Sequence, residues 1–326
     1  MNQLSIFAIK VLRKLYSKAF VVKPLAKNIV EHNPDIVSDI LYNVLADGKP
    51  VMIARYGSTE MLCMVNYLGV LKGAHVCNYI TNKQPEWWWG NNIRIQMTQW
   101  SGFFPSTNEN LTKFSQLMIE SSEDLDVLGS WLEHEQYFIG KLNIPLVWII
   151  YLEPFWAAKP WTRVLKGKKV LVVHPFASLI EMQYQKKREG LFINPDILPE
   201  FELYTIPAVQ SLGGGNNEFS DWFEALAWMQ SEIDKVDFDI CLLGCGAYGF
   251  PLASHIKIKG KQAVHMGGSL QLLFGIKGKR WTDPQKSIDT FGKPGMYEAL
   301  FNEHWVFPGD ENKPLNADQV EGACYW

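Results

Sequence analysis

Between Lys168 and Gly267 short apolar runs alternate with longer amphipathic ones. "KKVLVVHPF", "FELYTIPAV", "FDICLLG" and "KQAVHMG" have the length and composition of buried strands. "ASLIEMQYQKKREGLF", "EFSDWFEALAWMQSEIDKV" and "YGFPLASHIKIKG", which lie between them, read as helices. Repeated strand–helix–strand units with right-handed crossovers build a parallel sheet, and a parallel sheet needs cover on both faces. The expected fold class is therefore α/β: a Rossmann-like, doubly wound, mostly parallel sheet with helices on both faces.

The first half of the chain is less regular. Asn33 to Ala46 reads as a helix opened by "HNPD". "PVMIARYG" is a short strand ending at Arg55, and "STEMLCMVNYLGV" is a helix with Ser58 or Thr59 near its cap. Asn78 to Phe104, rich in Trp, Asn and Gln, has no clean period and reads as loops with helical pieces. Leu111 to Glu123 is a helix, and "DVLGSW" and "IPLVWIIYLEPFW" add a strand or two. The tail from "GIKGKRWTDPQ" to Trp326 is expected to wrap the domain. No linker composition separates the halves, so residues 31–326 read as one catalytic domain behind an N-terminal appendage, residues 1–30.

That appendage is basic. Lys10, Arg13, Lys14, Lys18, Lys23 and Lys27 precede the first acid, Glu31, which leaves 25 basic against 34 acidic side chains in the remainder. Leu4, Phe7, Ala8, Val11, Leu12 and Leu15 follow helical spacing, so an amphipathic helix is expected. Two roles stay open: residues 1–20 lie on an anionic membrane surface, or the apolar stripe packs on the chain's own domain. The net charge of −3 gives no basic field for nucleic acid. Five cysteines without a CxxC pair read as free thiols in a reducing compartment, and zinc is not expected.

In doubly wound sheets, sites form beyond the carboxyl ends of the strands. Three such ends carry suggestive residues. In "ARYGSTE", Arg55 suits a phosphate, Gly57 permits a tight turn, and Glu60 suits a cation or a proton. The structural alternative is a glutamate that complements the helix dipole and pairs with the arginine. In "VLVVHPFASLIE", His174 either faces the crevice as a proton carrier or holds the turn. The third end has Gly244, Gly246 and Gly249 in dinucleotide-turn spacing, with Tyr248 and Pro251 beside them. The next strand ends in His265, Gly267 and Gly268, where NAD would want an acidic ribose ligand, so NAD is not expected. Weaker candidates are Trp87, Trp88 and Trp89 for sugar stacking, the acids Glu153, Asp221 and Glu224, and the cations Lys277, Lys279 and Arg280.

"ARYGSTE" resembles the Arg-Phe-Gly-Asp-Gly-Glu segment of the GT-D-type bacterial glycosyltransferases, and "DICLLGCGAYGFPLASHIKIKGKQAVHMGG" resembles that family's late strand–turn–helix–strand. With "LQLLFGIKGKRW", the pair is similar to proteins encoded among capsule and surface-polysaccharide genes. The resemblance implies sugar transfer from a nucleotide-diphosphate donor to a glycan or lipid-linked acceptor, in the cytoplasm or at the inner membrane face. Arg55, Gly57 and Glu60 match that family's motif, and with the donor lying between the two turns, contact is expected from Gly57, Ser58, Thr59, Gly244, Gly246, Tyr248, Gly249, His265, Gly267 and Gly268. Catalysis would fall to Glu60, Arg55 and His174. The family's acidic motif implies a divalent cation, Mn²⁺ or Mg²⁺, at Glu60, but Ser58 stands where the family has aspartate. An NAD(P)-dependent oxidoreductase and a non-catalytic assembly scaffold remain as alternatives.

Overall fold

The computed structural model describes residues 2–21, 25–26, 28–211, 218–313 and 323–326. Lys23 and Lys27 lie outside the described residues. The strands are β1 (Val51–Ala54), β2 (Val127–Ser130), β3 (Leu146–Trp148), β4 (Lys169–His174), β5 (Glu202–Pro207), β6 (Ile240–Leu243) and β7 (Gln262–His265). They form one sheet in the order β3-β2-β1-β7-β6-β4-β5, every neighbouring pair parallel.

The helices begin with α1 (Gln3–Ala19), α2 (Pro34–Ala46), α3 (Ser58–Lys72), α4 (Val76–Ile80), α5 (Asn91–Gln99) and α6 (Asn108–Ser122). They continue with α7 (Gln136–Ile139), α8 (Ala177–Leu191), α9 (Trp222–Asp234) and α10 (Gly249–Ile258), then α11 (Leu270–Leu273), α12 (Lys279–Thr282) and α13 (Pro284–Phe291). Side chains alternate across a strand, so each strand feeds two cores. Met52, Ala54, Leu171, Val173, Cys241, Leu243 and Ala263 join the apolar faces of α3, α6, α9 and α10. Val51, Ile53, Val170, Val172, Ile240, Leu242 and Val264 join α2, α8 and α11 on the other side. This is the doubly wound arrangement the alternating pattern demands.

Chain caps set the helices that flank the site. Asn33 caps α2 by accepting from the backbone of Asp35 and Ile36, with Pro34 at the first helical position. The α3 cap differs from expectation: it is Gly57, which offers no side-chain cap, rather than Ser58 or Thr59. The Trp-rich stretch holds two short helices, α4 and α5, as its lack of period suggested. Trp87 and Trp88 pack edge-on at 4.9 Å beside Tyr79, under α1. Their rings thus form a seat for α1.

Candidate active site

Register places the central strand ends in one row. Ile53 pairs Val264, Leu243 pairs His265, and Val173 pairs Leu243. Extending each strand brings Arg55, Met266, Gly244 and His174 to the same level, and backbone bonds continue there: Met266 N–H to Leu243 O at 3.1 Å and Gly244 N–H to Val173 O at 3.0 Å. Connections from β4 lead outward to β5, whereas those from β6 lead to β7, so the order reverses between them. Such reversals open the crevice in which these folds bind ligands.

Arg55 follows β1 directly. The residue keeps partial exposure, but its Nε is buried with no hydrogen-bond partner. An unsatisfied buried donor is costly and calls for an explanation. Burial pulls the Arg55 pKa below its ordinary value, Tyr325 and Glu60 oppose that, Arg280 adds to it, and Glu135 opposes it. The guanidinium lies 5.6 Å from the centre of the Trp131 ring. Its Cδ, Nε and Cζ also rest 3.6 Å from where a Cβ on Gly267 would sit, and Gly267 has φ +69°. The positive φ is what favours glycine here, since a Cβ at 3.6 Å would make only ordinary contact with the guanidinium.

Glu60 is buried in the first turn of α3, and its carboxylate folds back onto Gly57. A Cβ on Gly57 would stand 1.6 Å from Glu60 Oε2, although Gly57 has an ordinary φ of −79°. Gly57 therefore makes room for the carboxylate in this position rather than serving a left-handed turn. Ser58 is exposed and Thr59 is buried. Among the described residues, no three His, Cys, Asp or Glu side chains come together as a metal site. Glu60 is the one acid of this turn that could hold a cation, together with waters and donor phosphates, and no catalytic step is assigned to a cation.

The glycine turn also has a packing role. Gly244 and Gly249 leave room for two histidine rings: added Cβ atoms would meet His174 Cδ2 at 2.5 Å and His265 Nδ1 at 2.2 Å. Gly246 supplies φ +58°. His174 is buried, its Nδ1 accepts the Phe176 N–H at 2.9 Å, and burial pushes its pKa down to about 3. The bond from Phe176 is the turn-holding contact that was the alternative to a proton carrier. His265 belongs by alternation to the opposite face and sits under the start of α10. Burial, then the Arg55 charge, lowers its pKa to about 3, while Nδ1 donates to Leu243 O at 3.3 Å. Tyr248 stacks on Trp222 at 4.7 Å within the core, so its ring is not a donor contact.

Two parts of the site were not singled out in the sequence. Glu135, wholly buried beyond β2, accepts from Trp131 N and Leu132 N at 3.1 Å each, from Asn28 Nδ2 at 3.0 Å and from the Ser130 hydroxyl. Trp131 Nε1 in turn donates to Tyr56 O at 3.0 Å, beside Arg55. The other part is the C-terminal segment. The Tyr325 ring presses on Gly268, where an added Cβ would be 2.1 Å away, and Arg280 Nη1 donates to the Tyr325 hydroxyl at 3.1 Å. Signals for this were faint: "GIKGKRW" offered the cation, and nothing marked Tyr325 as its partner.

Behind Arg280 lies Lys286, then Glu153, which accepts from Trp156 Nε1 at 2.9 Å and Tyr297 Oη at 3.0 Å. Burial raises the Glu153 pKa from 4.5 to about 7; its hydrogen bonds and Lys286 only partly oppose this. A value higher in the folded state favours folding below the unfolded pKa, and the contribution is lost as pH rises through about 7. Glu153→Gln keeps the neutral form, so its stability relative to wild type should rise by about 3 kcal/mol between pH 4.5 and 8. Urea titrations across that range check it; a difference independent of pH would refute the assignment. Asp221 is the cap of α9, accepting from Glu224 N at 2.8 Å.

No family model and no curated protein matches the chain. Two solved structures are similar to it. One is a selenomethionine-substituted structure of the domain of unknown function 1792, at 10% identity and TM-score 0.38 over 96% of this chain and 99% of that one. The other is described as showing that this highly conserved domain has a distinct glycosyltransferase fold, at 10% identity and TM-score 0.31 over 87% of this chain and 99% of that one. At these values the likeness carries no argument about residues or substrate.

Proposed function

We propose that the chain is a glycosyltransferase whose donor diphosphate lies at the β1 and β7 strand ends. The observation that carries this is Arg55: a partly exposed guanidinium whose buried Nε is unpartnered, resting on Gly267, with a second cation, Arg280, in its field. Two guanidinium groups, Arg55 at the end of β1 and Arg280 on α12, suit a diphosphate through forked, charge-assisted hydrogen bonds. In transfer, the bond from the anomeric carbon to the diphosphate oxygen breaks and the acceptor hydroxyl oxygen bonds that carbon. The negative charge developing on the diphosphate is stabilised by Arg55 and Arg280. Glu60 takes the acceptor's proton. The donor is a nucleotide sugar and the acceptor a glycan or a lipid-linked glycan, as in surface-polysaccharide synthesis.

A nicotinamide reading is less well supported. The glycine spacing that suggested it is accounted for by the rings of His174 and His265. Calorimetry with UDP- and GDP-sugars, with and without Mn²⁺, against NAD(P) tests the proposal. Wild type should bind a nucleotide sugar, and Glu60→Gln should keep that binding while losing transfer about a hundredfold. Binding of NAD(P) alone, or of no nucleotide, would sink it.

A further inference from the structure

The N-terminal helix resolves the two roles left open by its sequence in an unexpected way. α1 docks on the domain through its more polar side. Ile9 is only 9% exposed, Lys10 pairs with Glu86 at 2.8 Å, and Arg13 Nε donates to Asn82 Oδ1 at 2.5 Å. The Arg13 guanidinium also lies 4.4 Å from the Tyr79 ring centre. These contacts fix the rotation of the helix and turn its apolar stripe outward. Leu4 is 80% exposed, Phe7 68% and Leu15 57%, with Val11 and Leu12 exposed between them. The side that packs on the domain is thus opposite to the one that a self-docking helix would use.

We infer that this outward stripe is a bilayer-docking surface for anionic lipid. Residues 4, 7, 11 and 15 recur at three- and four-residue spacing, so they form one continuous ridge along the helix. Lys14 and Lys18 are exposed beside that ridge, and no acid occurs before Glu31. An apolar ridge edged by lysines and free of carboxylates matches the acyl boundary of a membrane carrying negative headgroups. Lys10 and Arg13 hold α1 to the domain. Among the described residues no helix is long and apolar enough to cross a membrane, so α1 lies along the surface. The inference stands on α1 alone and is independent of the donor site.

The full chain is sedimented with phosphatidylcholine vesicles, with or without about one-third phosphatidylglycerol. Wild type should bind the anionic vesicles. Lys14→Gln with Lys18→Gln should weaken this about thirtyfold, at roughly a factor of five per lysine. Phe7→Glu with Val11→Glu should abolish it, while circular dichroism stays that of wild type, because both positions are exposed. Absence of binding by wild type, or equal binding by the Glu variant, would overturn the inference. So would light scattering that finds a wild-type dimer which the Glu variant dissociates, since a second copy would then cover the stripe.

Discussion

Arg55→Met should lower the rate of sugar transfer by about a hundredfold to a thousandfold while changing folding stability by no more than about 1 kcal/mol. The two readouts separate a catalytic cation from a structural one. Desolvation of the guanidinium is unfavourable, as the lowered pKa and the unpartnered Nε both indicate. Glu60, Glu135 and Tyr325 offset part of that cost, and Arg280 adds to it. A methionine reaches about as far as Nε, keeps the packing on Gly267, removes the desolvation cost and forfeits the offset and the Trp131 contact, so the net effect on stability is small. The charge on the leaving diphosphate, by contrast, loses its nearest fork. Arg55→Lys should recover little, because an ammonium places one point charge where a planar pair of donors is needed. Measured kcat/KM with thermal melts decides it. A normal rate in Arg55→Met, or a loss matched by severe unfolding, would make Arg55 a structural residue.

Much of the scaffold was readable because strand ends are where apolar runs stop. Arg55 and His174 were picked out by that rule, and register brings them to one level with Gly244 and Met266. The glycine motif was legible as spacing but not as cause. Whether a missing Cβ serves a phosphate or a neighbouring ring depends on what the next strand presents, and here His174 and His265 fill the space. Glu135 was not legible at all. It lies in no periodic stretch, and one of its partners, Asn28, is 107 residues away. The rotation of α1 was hidden for a related reason. An amphipathic pattern identifies a stripe but not which side meets the domain, and that is decided by the distant Glu86, Asn82 and Tyr79.

Glu135→Ala should destabilise the fold by about 3–5 kcal/mol and reduce transfer beyond what unfolding explains. The carboxylate is wholly buried, yet it satisfies two backbone N–H groups, the Asn28 amide and the Ser130 hydroxyl. Burial raises its pKa, and those four donors oppose the rise. Truncation to alanine leaves the Trp131 and Leu132 N–H groups and the buried Ser130 hydroxyl without this acceptor, while the Asn28 amide keeps Ser130 Oγ at 3.1 Å; the lost acceptor is the costly half of the hydrogen-bond asymmetry. Glu135→Gln retains one acceptor oxygen for Trp131 and Leu132 but turns an amide toward the Asn28 and Ser130 donors, so a smaller loss of about 1–2 kcal/mol is expected. The effect on transfer comes through Trp131. Glu135 fixes the Trp131 backbone, and Trp131 places its ring beside the Arg55 guanidinium while its indole N–H bonds Tyr56 O. Glu135 is thus a positioning residue, and the split between constants reveals it. Fully folded Glu135→Gln at low temperature should show a raised donor KM, with Trp131→Ala giving the same rise. A Glu135→Gln enzyme with wild-type KM beside a Trp131→Ala enzyme with raised KM would break the link from carboxylate to ring to guanidinium.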